Sequence, residues 1–106
     1  MSEDGRHDNL ILKQIADAGD AETIIDKAKK AIYGQRQRDY GDAKTNHERI
    51  AGIWSVVLGQ PVTAEQVVLC MIGLKMARLC HTPSHEDSWV DIVGYAGVWD
   101  KMQKGE

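Results

Sequence analysis

The chain is predicted to be all-α, a compact bundle of four to five helices. Three observations carry this expectation. Apolar residues recur at three- and four-residue steps through most of the 106 positions, the spacing that lines one face of a helix. Groups such as Thr63-Ala64-Glu65-Gln66, together with Gly19, Gly59 and Pro83, stand between these segments where helix caps and stops belong. No stretch alternates with the period of two that a half-buried strand requires. With 42% hydrophobic and 27% charged residues the composition is that of an ordinary globular domain. Phe is absent, so Trp, Tyr and Met supply the large packing groups.

Residues 1–8 are polar and acidic and read as a solvated tail, leaving residues 9–104 as a single helical domain. Leu10, Ile11, Ile15 and Ala18 share a helical face that stops at Gly19. Asp20 can cap a second helix with Ile24, Ala28, Ala31 and Ile32 as its stripe; Gly34 and Gly41 weaken its far end. A third helix is expected from near Thr45 or Asn46 to Gly59, with Ile50, Ile53, Trp54 and Val57 inward. The capping box at Thr63 opens a fourth, which runs to about His81 before Thr82-Pro83. Ser84-His85-Glu86-Asp87 resembles a second cap, and the last helix then places Trp89, Ile92, Val93, Ala96 and Trp99 on one stripe. The fourth helix is apolar nearly all round from Val67 to Leu74. Such a helix is central or lies at a subunit interface, so a homodimer is expected.

Charge and hydropathy narrow the function classes. A net charge of -3 argues against general nucleic-acid binding, although "KKAIYGQRQR" is locally basic. No apolar run approaches the ~18 residues of a membrane span, and the acidic start is unlike a signal peptide. Cys70 and Cys80, on one helix, would lie roughly 15 Å apart, beyond disulfide reach. A soluble cytoplasmic protein with reduced thiols is the expectation.

The unusual stretch is "LKMARLCHTPSHEDSWVDIVGYA", Leu74 to Ala96, where ionisable groups interrupt the two most apolar segments. Met71, Lys75, Arg78 and Thr82 share one helix face; Asp87, Asp91, Gly94, Tyr95 and Val98 share another. The short connection between them makes the helices antiparallel neighbours. Two cations then oppose two carboxylates beside a tyrosine. One reading is an ion-pair lock that sets helix register. The other is a site in which Lys75 and Arg78 bind phosphate while Asp87 and Asp91 hold Mg²⁺, a hard cation content with one or two carboxylates plus substrate phosphates. Gly94 leaves room there for a ligand or a close helix. A zinc set from Cys80, His81, His85 and Asp87 lacks a second close ligand pair. His47 stands alone and reads as a surface residue.

A second cluster, "GQRQRDYGDAKTNHER", holds Arg36, Arg38, Lys44 and Arg49 around Tyr40-Gly41. It is either a solvated turn or a basic lip that recruits phosphate and stacks a base on Tyr40. Arg38, Tyr40 and Tyr95 therefore join Lys75 and Arg78 as candidate nucleotide-binding residues.

"RQRDYGDAKTNHERIAGIW" and "VTAEQVVLCMIGLKMARLCHTPSHEDSWVDIVGYAGV" resemble a family of small proteins from tailed phages and prophages. Its motifs are a Tyr-Gly-Asp turn, a Lys-x-x-Arg helix and an Asp-Ser-Trp-x-Asp-x-x-Gly-Tyr-Ala segment. The resemblance covers about residues 24–100 and implies a phage accessory protein in the cytoplasm of the bacterial host. More distantly, "EDSWVDIVGYA" is similar to the acidic helix of MazG-like nucleotide pyrophosphohydrolases. That resemblance implies a MazG-like bundle with Asp91 as a Mg²⁺ ligand and Asp87 as its helper. The paired-glutamate helix of those enzymes has no counterpart here, since Glu48 and Glu65 are isolated. Two functions stand side by side: a protein that binds, and slowly hydrolyses, a nucleotide with Mg²⁺, and a small helical interaction protein that docks on a host or phage protein.

Overall fold

The structure is a computed structural model and describes residues 21–34 and 41–106. The expected tail, the helix around Leu10–Ala18 and the residues Arg36, Arg38 and Tyr40 lie outside the described residues. Four helices are described: α1 (Ile24–Tyr33), α2 (Ala43–Leu58), α3 (Ala64–His81) and α4 (Glu86–Gln103). There is no strand among the described residues, and the all-α expectation holds.

Each helix starts where a side chain can satisfy the free amides of its first turn. In α1 that residue is Thr23, the expected Asp20 lying outside the described residues; the Thr23 hydroxyl accepts from the Asp26 amide while the Asp26 carboxylate accepts from the Thr23 amide. In α2 it is Asp42, three residues earlier than Thr45, because Asp42 Oδ1 accepts from the Thr45 amide at 2.7 Å. Gly41 just before it takes φ +73°, a conformation natural only to glycine. Thr63 and Gln66 form the expected capping box of α3. Gly59 ends α2 in the left-handed conformation, its amide donating to Ser55 O.

The chain lays α4 at the centre. α1 and α3 pack on it from different sides, and α2 packs on α3 and, less extensively, on α4. The core is formed by Val68 with Tyr95, Val98 and Met102, covered by Ala43, Ala64, Met71 and Ile72. α1 docks through Ala28 and Ile32; a Cβ at Gly97 would lie 2.3 Å from Ile32 Cδ1, so glycine lets α1 approach α4.

Two expected stripes face elsewhere. On α4 the buried residues are Ser88, Val90, Tyr95, Val98, Lys101 and Met102, so the stripe through Trp89, Ala96 and Trp99 lies outside the core. On α2 the buried residues are His47 and Ala51, while Ile53 and Val57 are exposed. His47 is thus a correction: it is 4% exposed, with Nδ1 2.8 Å from Ala43 O. A ring bonded to its own helix backbone can be buried without an unmet polar group.

Candidate functional site

The α3–α4 turn explains much of the unusual stretch. His85 caps α4: its Nδ1 accepts from the Ser88 amide at 3.2 Å and lies 2.7 Å from Ser88 Oγ, and Ser88 is fully buried. The His85 amide donates to Thr82 O, and Trp89 Nε1 donates to Pro83 O at 2.9 Å. "TPSHEDSW" is therefore a closed, hydrogen-bonded corner that sets α3 antiparallel to α4. Glu86 and Asp87 fall in the first turn of α4, where the helix dipole favours negative charge.

From this corner the antiparallel register brings Lys75 and Asp91 together, Nζ to Oδ2 at 3.0 Å. Their side chains are 27% and 30% exposed, a partly sheltered pair. Arg78 and Asp87 are exposed, and no ion pair involves either among the described residues. Tyr95 is buried in the core beside Val68 and Val98. Of the seven candidate residues, the structure joins Lys75 to Asp91, leaves Arg78 and Asp87 at the surface, and turns Tyr95 inward; Arg38 and Tyr40 are outside the described residues. A Cβ at Gly94 would meet nothing within 4 Å among the described residues, so none of the four described helices packs closely there.

A second interhelical pair, Lys27 of α1 with Glu86 of α4 at 2.7 Å, was not anticipated. Its signal was the position of Lys27 at the edge of the Ile24–Ala28 stripe. The Glu86 carboxylate, hydrogen-bonded to the ammonium, raises the Lys27 pKa. Ionic contacts thus tether α4 to both of its main neighbours. Among the described residues, no three His, Cys, Asp or Glu side chains converge on a possible metal site. The zinc set does not come together: His85 is engaged in capping, and Cys80 is exposed and free.

Part of the expected core stripes of α2 and α4 forms apolar surface instead. Trp89 and Trp99 are 46% and 48% exposed. Trp99 and Ala96 of α4, with Glu65, Val68, Leu69 and Ile72 of α3, line a groove of about 330 Å³. Among the described residues, no helix is long and apolar enough to cross a membrane.

Residues 23–103 match a protein family described as a domain of unknown function, DUF6378. The chain belongs to that family. The matched span begins at the cap of α1 and ends with the last residue of α4, so it comprises all four described helices. The gene 55 protein of Mycobacterium phage L5 is 51% identical over 85 residues, covering 79% of this chain and 54% of that protein. The gene 55 protein of Mycobacterium phage D29 is 34% identical over 82 residues, 77% of this chain and 54% of that protein. The chain spans about half the length of these curated relatives. No solved structure matches it. The expected kinship with phage proteins is thereby met at the level of the family; these matches do not test the MazG-like resemblance.

Proposed function

We propose that this DUF6378 domain is a small helical interaction domain of a phage or prophage protein, docking on a host or phage protein through the tryptophan-bearing α3–α4 groove. The observation that carries this reading is Trp99, half exposed at the rim of a groove lined by Val68, Leu69, Ile72 and Ala96. A tryptophan beside an apolar cleft is the kind of anchor on which interfaces concentrate their energy. An apolar helix from the partner suits such a groove. Glu65 in its lining favours a partner with a basic residue flanking the apolar ones. In this reading Lys75–Asp91 is the register lock and takes no part in binding.

The test is site-specific photo-crosslinking from position 99 in lysates of mycobacteria with and without infection by phage L5, the source of a matched relative, followed by affinity measurement with the purified captured protein. The expected result is a discrete adduct. In the affinity measurement Trp99→Glu should weaken binding at least tenfold, and Lys75→Ala should bind like the wild type. Equal affinity of Trp99→Glu and wild type, or the absence of any adduct, would overturn the reading.

A second reading is favoured by Arg78 and Asp87, exposed charges beside the Lys75–Asp91 pair. Here Lys75 and Arg78 bind the phosphates of a nucleotide, and Asp87 and Asp91 reach them through Mg²⁺. The donor set fits this only in part, because Asp91 Oδ2 already holds Lys75 and leaves Oδ1 for a cation. In this reading a nucleotide at 100 times its Kd raises stability by about 2.7 kcal/mol. Lys75→Ala, Arg78→Ala or chelation of Mg²⁺ then removes that gain. Hydrolysis would be slow, because the second acidic helix that positions metal and water is missing.

A further inference from the structure

Among the described residues, the α2–α3 hairpin packs on α4 with one face and leaves the other exposed. Along α3 the exposed positions include Leu69, Cys70, Gly73, Met76 and Ala77. These are the three- and four-residue steps of a helix–helix seam, and none is charged. Their sizes are complementary about Gly73. Leu69 stands four residues before it and Ala77 four after; Cys70 stands three before it and Met76 three after. A second α3 laid antiparallel across the first, Gly73 over Gly73, therefore meets Leu69 with Ala77 and Met76 with Cys70, large against small at each step. A Cβ at Gly73 would meet nothing within 4 Å among the described residues, so glycine there leaves space that a crossing helix can use. Gly73 also sits at the middle of α3, which runs from Ala64 to His81.

The surface is extensive as well as complementary. Ile53, Val56, Val57 and Leu58 on α2 are all more than half exposed, Val56 reaching 83%. Leu58 shares a groove with Leu69 and Cys70, which makes the apolar surfaces of the two helices continuous. With Leu69, Leu74 and Met76, they expose an area on the order of the ~800 Å² per partner that a standard interface buries, against the few hundred Å² usual on a monomer. We propose that this face pairs with a second copy of the chain, α3 antiparallel to α3, about a two-fold axis through Gly73. The same patch meets itself, as a two-fold dimer requires. This pairing is separate from the α3–α4 groove; Leu69 borders both surfaces, but Gly73 and Met76 do not line the groove.

Sedimentation velocity at 10 µM should give twice the 11.8 kDa monomer mass, unchanged by reductant. Gly73→Glu and Met76→Glu, both at exposed positions, should keep their far-UV circular dichroism and sediment as monomers. The register is read by disulfide capture in a Cys70→Ser, Cys80→Ser background. Leu69→Cys combined with Ala77→Cys should give a covalent dimer on mild oxidation. Leu69→Cys alone should not, since the two copies of residue 69 would lie roughly 12 Å apart along the seam. A monomer at 100 µM, a dimer that survives Gly73→Glu, or equal capture by the single and paired cysteine variants would each overturn the proposal. Crosslinking from Trp99 reports the groove separately, so either reading can fail without the other.

Discussion

Single residues decide how the four helices are held in register. Lys75–Asp91 is a partly sheltered pair, so its loss leaves a cation that can still reach water. Asp91→Ala should cost about 1 kcal/mol in urea melts, well below the several kcal/mol that follow from breaking a fully buried pair. A change within ~0.3 kcal/mol would mean that the register is set by the His85–Ser88 corner alone. Asp42 offers a pH signature. The Thr45 amide, and then the Thr45 hydroxyl, hold its carboxylate below the ordinary 3.8. Because the folded pKa is depressed, this cap contributes its full stability above about pH 4 and loses it as pH falls through the folded value. Asp42→Asn, which still caps but does not titrate, should flatten that part of the acid limb in thermal melts at pH 2–5. The pairing of Lys75 with Asp91 was legible in the sequence, because helix periodicity and a short turn determine which faces meet. The burial of His47 was not: only the hydrogen bond to Ala43 makes it tolerable, and that bond depends on where α2 begins.

Among the helices, the element types and ends were legible and the inward faces were only half so. Capping boxes and Gly59 act within a few residues, so local chemistry specifies them. The burial of a stripe depends on which neighbours are present. Among the described residues, α2 and α4 each carry more apolar surface than their neighbours cover, so periodicity alone selects Ile53, Val57, Trp89 and Trp99 for a core that those neighbours do not provide. The glycines of α4 separate tight from open packing. Gly94 has open space around it among the described residues, so Gly94→Ala should stabilise by about 0.5–1 kcal/mol through helix propensity. Gly97 faces Ile32, so Gly97→Val should destabilise by about 2 kcal/mol as α1 is forced outward. Chemical denaturation of the two variants reads both signs. Destabilisation by Gly94→Ala would show that something packs against that position after all.

In the whole molecule, under the proposed function, the ionisable block is structural and the apolar surfaces carry recognition. A dimer across Gly73 would bury the α2–α3 face and leave Trp99 free for a different protein, a division of labour that one four-helix unit can support. Its melting temperature should then rise with protein concentration, as it does for any assembly whose folded form associates. The claim that bears most weight is that Lys75, Arg78, Asp87 and Asp91 are not a nucleotide site. It is tested most directly by titration calorimetry of nucleoside mono-, di- and triphosphates at millimolar Mg²⁺. No binding tighter than about 1 mM is expected, where ΔG is only about -4 kcal/mol. Tighter binding that requires Mg²⁺ and disappears in both Lys75→Ala and Arg78→Ala would contradict it.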